Sequence, residues 1–326
     1  MLADLVKTLQ QAIGILHKQD IQTAAQALRF DGKSGIDGDK WADPNVRLGD
    51  DCAAIPDGED YLLLAAEGMM PFFVENDPWF AGWSAVMVNV SDIYAMGGRP
   101  IAVVDTLWSS LPDHSKELWA GMRAAAAAYQ VPIVGGHTNC HSPYGALSVA
   151  ILGRAKRLIT SFDAQPGDRL LMVVNLEGGE MHPRYPFWNA ATRTNSDKLR
   201  GDLAILPELA ESQLCTAGKD ISMGGVIGTT LMLLETSRCG AVIDLDRIPC
   251  PSNVPLEAWL TAFPSYGFLL SVAPDCVASV RGRFHDRQIV CEAIGEVNDS
   301  SKLVLRSGQE SLVFWDLQQQ PLTGFS

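Results

Sequence analysis

A long helical pattern in the first half of the chain constrains the fold most. The pattern runs from Asp77-Pro78, with the proline in the first turn, to Met96, and Gly97-Gly98 stops it. An apolar strand candidate follows at once, and strand and helix patterns continue to alternate over the first 160 residues. The N-terminal part of the fold is therefore α/β or α+β.

The length of 326 residues suggests more than one domain, because domains mostly run to about 100–200 residues. A composition of 47% hydrophobic and 19% charged residues allows buried cores and argues against disorder. Turn chemistry before a strand at 169–174 sets a boundary near residue 160. We expect a helical extension over 1–30, an N-terminal domain over 31–160 and a C-terminal domain over 161–326.

The charge balance excludes some classes of partner. Lys and Arg number 25 against 38 Asp and Glu, which gives a net charge of −13. General nucleic-acid and anionic-membrane binders need basic surface, whereas local cations or a metal still allow a nucleotide ligand. No apolar run reaches the ~18 residues of a membrane span, and no signal peptide is evident. The seven scattered cysteines form no CxxC pair, so we expect reduced thiols in a cytoplasmic protein.

Two acidic motifs are candidates for a metal site. In Gly49-Asp50-Asp51, adjacent carboxylates after a glycine suit a loop that holds Mg²⁺ together with substrate phosphates. An exposed turn whose aspartates bond to the local backbone explains this motif equally well. Asn89 and Asp92 share one face of the long helix. A carboxylate among apolar neighbours needs a partner or a metal, and a polar contact between helices is the alternative.

A glycine pair is a candidate for phosphate binding. A strand over 131–134 runs into Gly135-Gly136, followed by His137-Thr138. Backbone N–H groups of such a pair can approach phosphate oxygens closely. A simple turn explains the pair as well, and a lone histidine is more often structural than a ligand.

A second glycine pair lies at the start of a predicted helix over 223–237. We expect Asp220 or Ser222 to cap this helix near Met223. A helix N-terminus beside Gly224-Gly225 is suited to an anion, and an ordinary cap is the alternative.

Three basic residues are candidates for neutralising a phosphate: Lys33 and Lys40 in the glycine-rich segment 31–40, and Arg99 after the long helix. A lysine on a mobile loop can close over a triphosphate and neutralise the charge that develops in phosphoryl transfer. A solvated flexible loop is the alternative. The chain has no GxxxxGK[ST] motif, so it is not a P-loop protein.

Taken in order, these segments resemble one superfamily over about residues 31–297. It contains aminoimidazole ribonucleotide (AIR) synthetase, formylglycinamidine ribonucleotide synthetase, selenophosphate synthetase, thiamine-monophosphate kinase and a hydrogenase-maturation dehydratase. The segment SDIYAMGGRP at 91–100 is very similar to selenophosphate synthetase, and Gly49–Ala53 and Asp220–Ser222 resemble the kinase. The chain is similar to an AIR synthase-related branch of this superfamily.

The resemblance implies a PurM-like fold of mixed α/β (α+β) class with two domains. The N-terminal domain forms a dimeric β-barrel with a second copy, and the C-terminal domain is α/β. It implies ATP and Mg²⁺ as cofactors, a small-molecule acceptor, and no nucleic-acid or membrane partner. The implied metal ligands are Asp50, Asp51, Glu67, Asp92 and Asp220. The implied catalytic residues are Lys33 and Asp92, and the implied nucleotide- and phosphate-binding residues are Lys33, Lys40, Asn89, Gly135, Gly136, His137, Thr138 and Asn139.

The expected function is ATP- and Mg²⁺-dependent phosphoryl transfer to a small molecule, or activation of one. Thiamine-monophosphate kinase and selenophosphate synthetase-like activities are alternatives. A catalytically decayed nucleotide-binding homodimer is a third, because relatives have Thr-Asp where this chain has Ala65-Ala66-Glu67, and a carboxylate is missing at Met223. His137 and Met223 speak against the kinase, and the lack of a cysteine in the segment 31–40 speaks against selenophosphate synthesis.

An aromatic segment within 177–195 is a candidate for shaping the acceptor pocket. Its side chains are Arg184, Tyr185, Phe187 and Trp188. Packing of this segment on its own domain explains the aromatic residues as well.

Overall fold

The computed structural model describes residues 2–28, 46–110 and 112–325. Contacts divide the chain into two compact units. The small unit comprises 51–158 and 194–211, and the large unit comprises 1–50, 159–193 and 212–326. The domain limits expected from the sequence stay a prediction.

The described helices lie in both units. In chain order they are α1 Leu2–Gln10, α2 Ile13–Leu16, α3 Ile21–Leu28, α4 Pro71–Asn76, α5 Pro78–Ala95, α6 Lys116–Tyr129, α7 Ser196–Leu203, α8 Ile205–Glu211, α9 Gly225–Ser237, α10 Leu256–Leu260 and α11 Val277–His285. Within the ranges described, no helix is both long enough and apolar enough to cross a membrane.

The described strands form three sheets. In chain order they are β1 Ala53–Asp57, β2 Asp60–Met69, β3 Arg99–Trp108, β4 Ile133–Asn139, β5 Ala146–Ala155, β6 Arg169–Val174, β7 Glu180–Met181, β8 Phe187–Asn189, β9 Ala217–Asp220, β10 Gly240–Asp244, β11 Phe263–Pro264, β12 Gly267–Val272, β13 Val290–Asn298, β14 Lys302–Ser307 and β15 Glu310–Asp316.

The small unit is a five-stranded sheet with α5 and α6 on one face. Its strand order is β1-β2-β5-β3-β4, and only the pair β3 and β4 is parallel. Helix α5 is apolar almost all round and almost wholly buried, as the sequence pattern requires of a helix enclosed by protein. A Cβ at Gly82 would lie 2.0 Å from the Leu118 carbonyl oxygen, so glycine allows α5 and α6 to cross closely.

The large unit is a seven-stranded sheet with the order β15-β14-β10-β13-β6-β12-β9, beside a small sheet β11-β8-β7. Strands β6 and β12 are almost entirely buried. Helix α1 contributes Leu2, Val6 and Leu9 to the core of this unit. The side chain of Gln10 donates from Nε2 to the Phe314 carbonyl oxygen at 2.7 Å, which fixes α1 on β15.

Several elements differ from the sequence expectation. The strand expected at 131–134 continues through Gly135-Gly136 to Asn139, so the turn that was the alternative at the glycines is not observed. The segment 177–195, which contains the aromatic candidates, carries the short strands β7 and β8. The helical extension expected over 1–30 contains three short helices in its described part, 2–28. The helix expected at 77–96 is confirmed as α5.

A buried carboxylate in α9 anchors the segment 322–324. Glu235 is 3% exposed, and its oxygens accept hydrogen bonds from the backbone N–H groups of Leu322 at 2.8 Å, Thr323 at 2.7 Å and Gly324 at 3.2 Å. The Thr323 hydroxyl donates to the same carboxylate at 2.5 Å. One charged group thus satisfies four donors in the large unit.

We expect Glu235→Ala to lower the free energy of unfolding of the large unit by about 2 to 4 kcal/mol, because it leaves buried donors without an acceptor. Urea unfolding measures the change. The control Glu310→Ala removes an exposed carboxylate on β15 and should stay within about 0.5 kcal/mol of wild type. Equal, small effects of both substitutions would contradict the anchoring role.

Candidate functional site

Helix α5 places an amide and a carboxylate one turn apart inside the small unit. Asn89 is 0% exposed and Asp92 is 6% exposed. Asn89 donates from Nδ2 to the Ala85 carbonyl oxygen at 2.8 Å. Its Oδ1 has no hydrogen-bond partner in the described parts of the chain. Because a buried acceptor without a donor is costly, a cation or a water molecule would stabilise this position.

The other two predicted ligands of the small unit lie on different elements. Asp51 is half-buried just before β1. Glu67 is exposed on β2, opposite Val149 of β5, and the Ser148 hydroxyl donates to its backbone carbonyl at 3.1 Å. Within the ranges described, no three His, Cys, Asp or Glu side chains form a group that could hold a metal ion.

The predicted phosphate-binding residues form part of the edge strand β4. Val104 of β3 pairs with Gly135, and Thr106 pairs with His137. Because side chains alternate along a strand, His137 points to one face of the sheet and Thr138 to the other. No described strand pairs with the outer edge of β4, so that edge can offer backbone N–H groups to a ligand.

Asp105 of β3 is a candidate that the sequence reasoning missed. A Cβ on its neighbour Gly136 would lie 2.5 Å from the Asp105 Oδ1 atom and 2.4 Å from its carbonyl oxygen. Partial burial raises the pKa of the Asp105 carboxyl. A hydrogen bond from its own backbone N–H lowers this pKa, but the effect of burial is larger. The available signal was an acidic residue inside an otherwise apolar strand.

In the large unit, the Asp50 carboxylate is enclosed. The Asp50 side chain is 1% exposed, and its Oδ1 atom lies 3.6 Å from the Nζ atom of Lys219. The Lys219 side chain is 4% exposed. The Asp50 Oδ2 accepts a hydrogen bond from the Ser161 backbone N–H at 2.8 Å. Asp220 follows Lys219 at the end of β9 and is buried.

The N-terminus of α9 differs from the expectation. The helix begins at Gly225, and its N-cap is Gly224, with φ +96° and no side-chain cap. The caps expected at Asp220 or Ser222 are therefore wrong. The Ser222 backbone N–H donates to the Thr229 hydroxyl at 3.3 Å, and Lys18 donates from Nζ to the Ser222 hydroxyl at 3.1 Å.

The remaining candidates are placed as follows. Lys33 and Lys40 lie outside the described residues. Arg99 forms an ion pair with Glu211 at 2.5 Å. In the aromatic segment, Trp188 is 2% exposed and donates from Nε1 to the Asn175 carbonyl oxygen at 2.9 Å, so this side chain packs within the large unit.

Gly136→Ala should destabilise the small unit by about 1 to 3 kcal/mol, because the new methyl group collides with the backbone of β3 and with Asp105. Gly135→Ala is the matched control, since its Cβ would meet no described atom closer than the Val104 Cγ1 at 4.0 Å. Thermal unfolding of both variants measures the difference. A loss of stability in Gly135→Ala equal to that in Gly136→Ala would contradict the proposed collision.

Comparison with known proteins identifies the family. Residues 49–155 match the model of the AIR synthase related protein N-terminal domain, and residues 165–308 match that of the C-terminal domain. The chain is 59% identical to the uncharacterized protein sll0787 of Synechocystis sp., over 100% of this chain and 99% of that protein. It is 33% identical to the uncharacterized protein MJ0640 of Methanocaldococcus jannaschii, over 99% of each.

Relatives with a named activity are more distant. The thiamine-monophosphate kinase of Synechococcus elongatus is 26% identical over 81% of this chain and 87% of the kinase. Among solved structures, T. maritima PurL complexed with ATP matches with a TM-score of 0.69 and 18% identity, over 83% of this chain and 45% of PurL. AaThiL complexed with AMPPCP and TMP matches with a TM-score of 0.63 and 20% identity, over 82% of this chain and 92% of AaThiL.

These matches confirm the resemblance that rested chiefly on residues 91–100. The chain spans a little under half the length of PurL and most of AaThiL, and it shares their mixed α/β architecture. The chain belongs to the AIR synthase related family and has the two-domain, PurM-like fold of that superfamily.

Proposed function

We propose that this protein is an ATP- and Mg²⁺-dependent enzyme that transfers a phosphoryl group to a small molecule or activates one. The observation that carries the proposal is the buried pair of Asn89 and Asp92 on α5. Relatives named thiamine-monophosphate kinase and selenide, water dikinase support ATP use, as does the structural likeness to PurL complexed with ATP.

The residues on α5 fit a magnesium ion. Mg²⁺ in phosphoryl-transfer sites is held by one or two carboxylates together with substrate phosphates, and it prefers oxygen ligands. The Asp92 carboxylate and the Asn89 Oδ1, which lacks a described partner, are two such oxygens on one buried helix face. We propose that they hold the ion, whereas Asp51 and Glu67 stay predictions from the sequence. When bound, the ion would neutralise charge on the phosphate oxygens.

The chain's own contribution to phosphate binding comes from the β4 edge. Backbone N–H groups on a free strand edge bind an oxyanion without a charged side chain. Gly135 leaves room for such a ligand, because even a Cβ at this position would meet, among the described residues, only the Val104 Cγ1 methyl group at 4.0 Å. We propose that the segment Gly135–Asn139 lines the phosphates. Asp220, Lys33 and Lys40 stay predictions from the sequence.

Binding of AMPPCP tests this assignment directly. By calorimetry with Mg²⁺, Asp92→Asn should bind the nucleotide at least about ten-fold more weakly than wild type, because it removes a charged ligand of the ion. EDTA should weaken binding to wild type in the same way. Asp113→Asn removes an exposed carboxylate of the small unit and is the control. Unchanged, EDTA-resistant binding to Asp92→Asn would overturn the assignment. Thiamine monophosphate is the first acceptor to screen, because one relative is named thiamine-monophosphate kinase.

We also propose that the protein is a homodimer formed through the small unit. The sheet face opposite α5 exposes apolar side chains. Leu64 and Leu152 pair directly across β2 and β5, and they are 47% and 36% exposed. Val104 on β3 is 42% exposed on the same face. Contiguous exposed apolar surface indicates an interaction site, and pairing with the same face of a second copy would cover it.

Val104→Glu should convert a dimer into a monomer, because it places a charge in the apolar interface. Light scattering coupled to size-exclusion chromatography measures the mass. The control Val313→Glu changes a valine of β15 that is 51% exposed in the large unit, and it should leave the mass unchanged. A wild-type protein with the mass of one chain would contradict the dimer.

A further inference from the structure

The Asp50 carboxylate already has a cation. Its Oδ1 faces the Lys219 ammonium at 3.6 Å, and both side chains are at least 96% buried. Its Oδ2 is engaged by the Ser161 N–H at 2.8 Å. A buried carboxylate and a buried ammonium stabilise each other, because each lowers the cost of holding the other charge away from water.

The surroundings hold Asp50 in this orientation. Arg47 lies 4.2 Å over the Phe162 ring and 3.6 Å from the Asp163 carboxylate. Gly49 has φ +107°, and a Cβ there would lie 2.6 Å from the Cβ of Phe325. Contacts at Arg47 and Gly49 thus restrain the chain that leads to Asp50.

The two groups that contact the Asp50 carboxylate, the Ser161 N–H and the Lys219 ammonium, are restrained as well. The Ser161 carbonyl oxygen accepts hydrogen bonds from the hydroxyl groups of Thr236 at 2.6 Å and Ser237 at 2.7 Å. Thr160 forms an isolated parallel β-bridge with Ala217 of β9. Residue 161 therefore lies beside β9, the strand that carries Lys219. The N–H group and the ammonium that meet Asp50 both belong to the packed core of the large unit.

We propose that the Lys219 ammonium takes the place of a divalent metal at Asp50. Asp50 is then a structural anion, and the protein has fewer metal ligands than the five carboxylates that the family resemblance implies. A divalent ion at Asp50 would lie next to the positive charge of the Lys219 ammonium, which repels it. The inference deepens the proposed function, since it states which predicted ligand does not hold the ion.

Manganese binding tests the metal count. Free Mn²⁺ is followed by electron paramagnetic resonance in the presence of AMPPCP, for wild type, Asp92→Asn and the double variant Asp50→Asn/Lys219→Met, whose neutral pair keeps a similar size. The double variant should bind the same number of Mn²⁺ ions with a Kd within about two-fold of wild type, whereas Asp92→Asn should lose at least about ten-fold. A double variant that loses an ion or about ten-fold in affinity would overturn the proposal.

Thermal unfolding without nucleotide gives a second readout that does not depend on the proposed function. Asp50→Asn and Lys219→Met alone should each lower Tm by about 5 to 15 °C, and the double variant should recover most of that loss. Mn²⁺ should raise the Tm of Lys219→Met more than that of wild type, because Asp50 then no longer faces the Lys219 ammonium. If wild type binds no Mn²⁺ with AMPPCP, the proposed function fails while this comparison still decides the role of Lys219. Losses of Tm that add up in the double variant would overturn the inference. A rise of the wild-type Tm with Mn²⁺ that disappears when Asp50 is substituted would also overturn it.

Discussion

The enclosure of α5 is the constraint on which the small unit depends. A helix that is apolar almost all round cannot lie at a surface, so a sheet must cover one side and another helix the other. Glycines at 82 and 121 let α5 and α6 approach until backbone meets backbone. The few polar side chains on α5 are therefore held in a rigid, water-poor environment.

Local signals made part of this fold predictable. Pro78 and Gly97 mark the two ends of α5, and the strand 169–174 has the bounds expected from its flanking turn. The prediction of β4 ended at residue 134, because a glycine pair considered alone resembles a turn. The extended conformation of β4 comes from parallel pairing with β3, and Gly136 is required by the nearby Asp105, which is distant in sequence.

In the candidate site, too, some features follow from local sequence and others depend on contacts between distant residues. The placement of Asn89 and Asp92 on one face of α5 follows from helical spacing. The ion pair of Asp50 and Lys219 joins residues that are far apart in the chain, and no spacing rule connects them. The resemblance pointed to Asp50 through its own motif and carried no information about a lysine one position before Asp220. Contacts of this kind depend on the packing of the large unit.

The position of α2 affects how accessible the first turn of α9 is. A Cβ at Gly14 would lie 2.7 Å from the Gly224 nitrogen, so α2 rests on the positive end of the α9 dipole. Helix α2 has only four residues, which is too few for a helix to be stable alone, and buried Ile15 holds it in place. We expect amide protons in the first turn of α9 to exchange with solvent at a rate set by local opening of α2, with no need for the large unit to unfold.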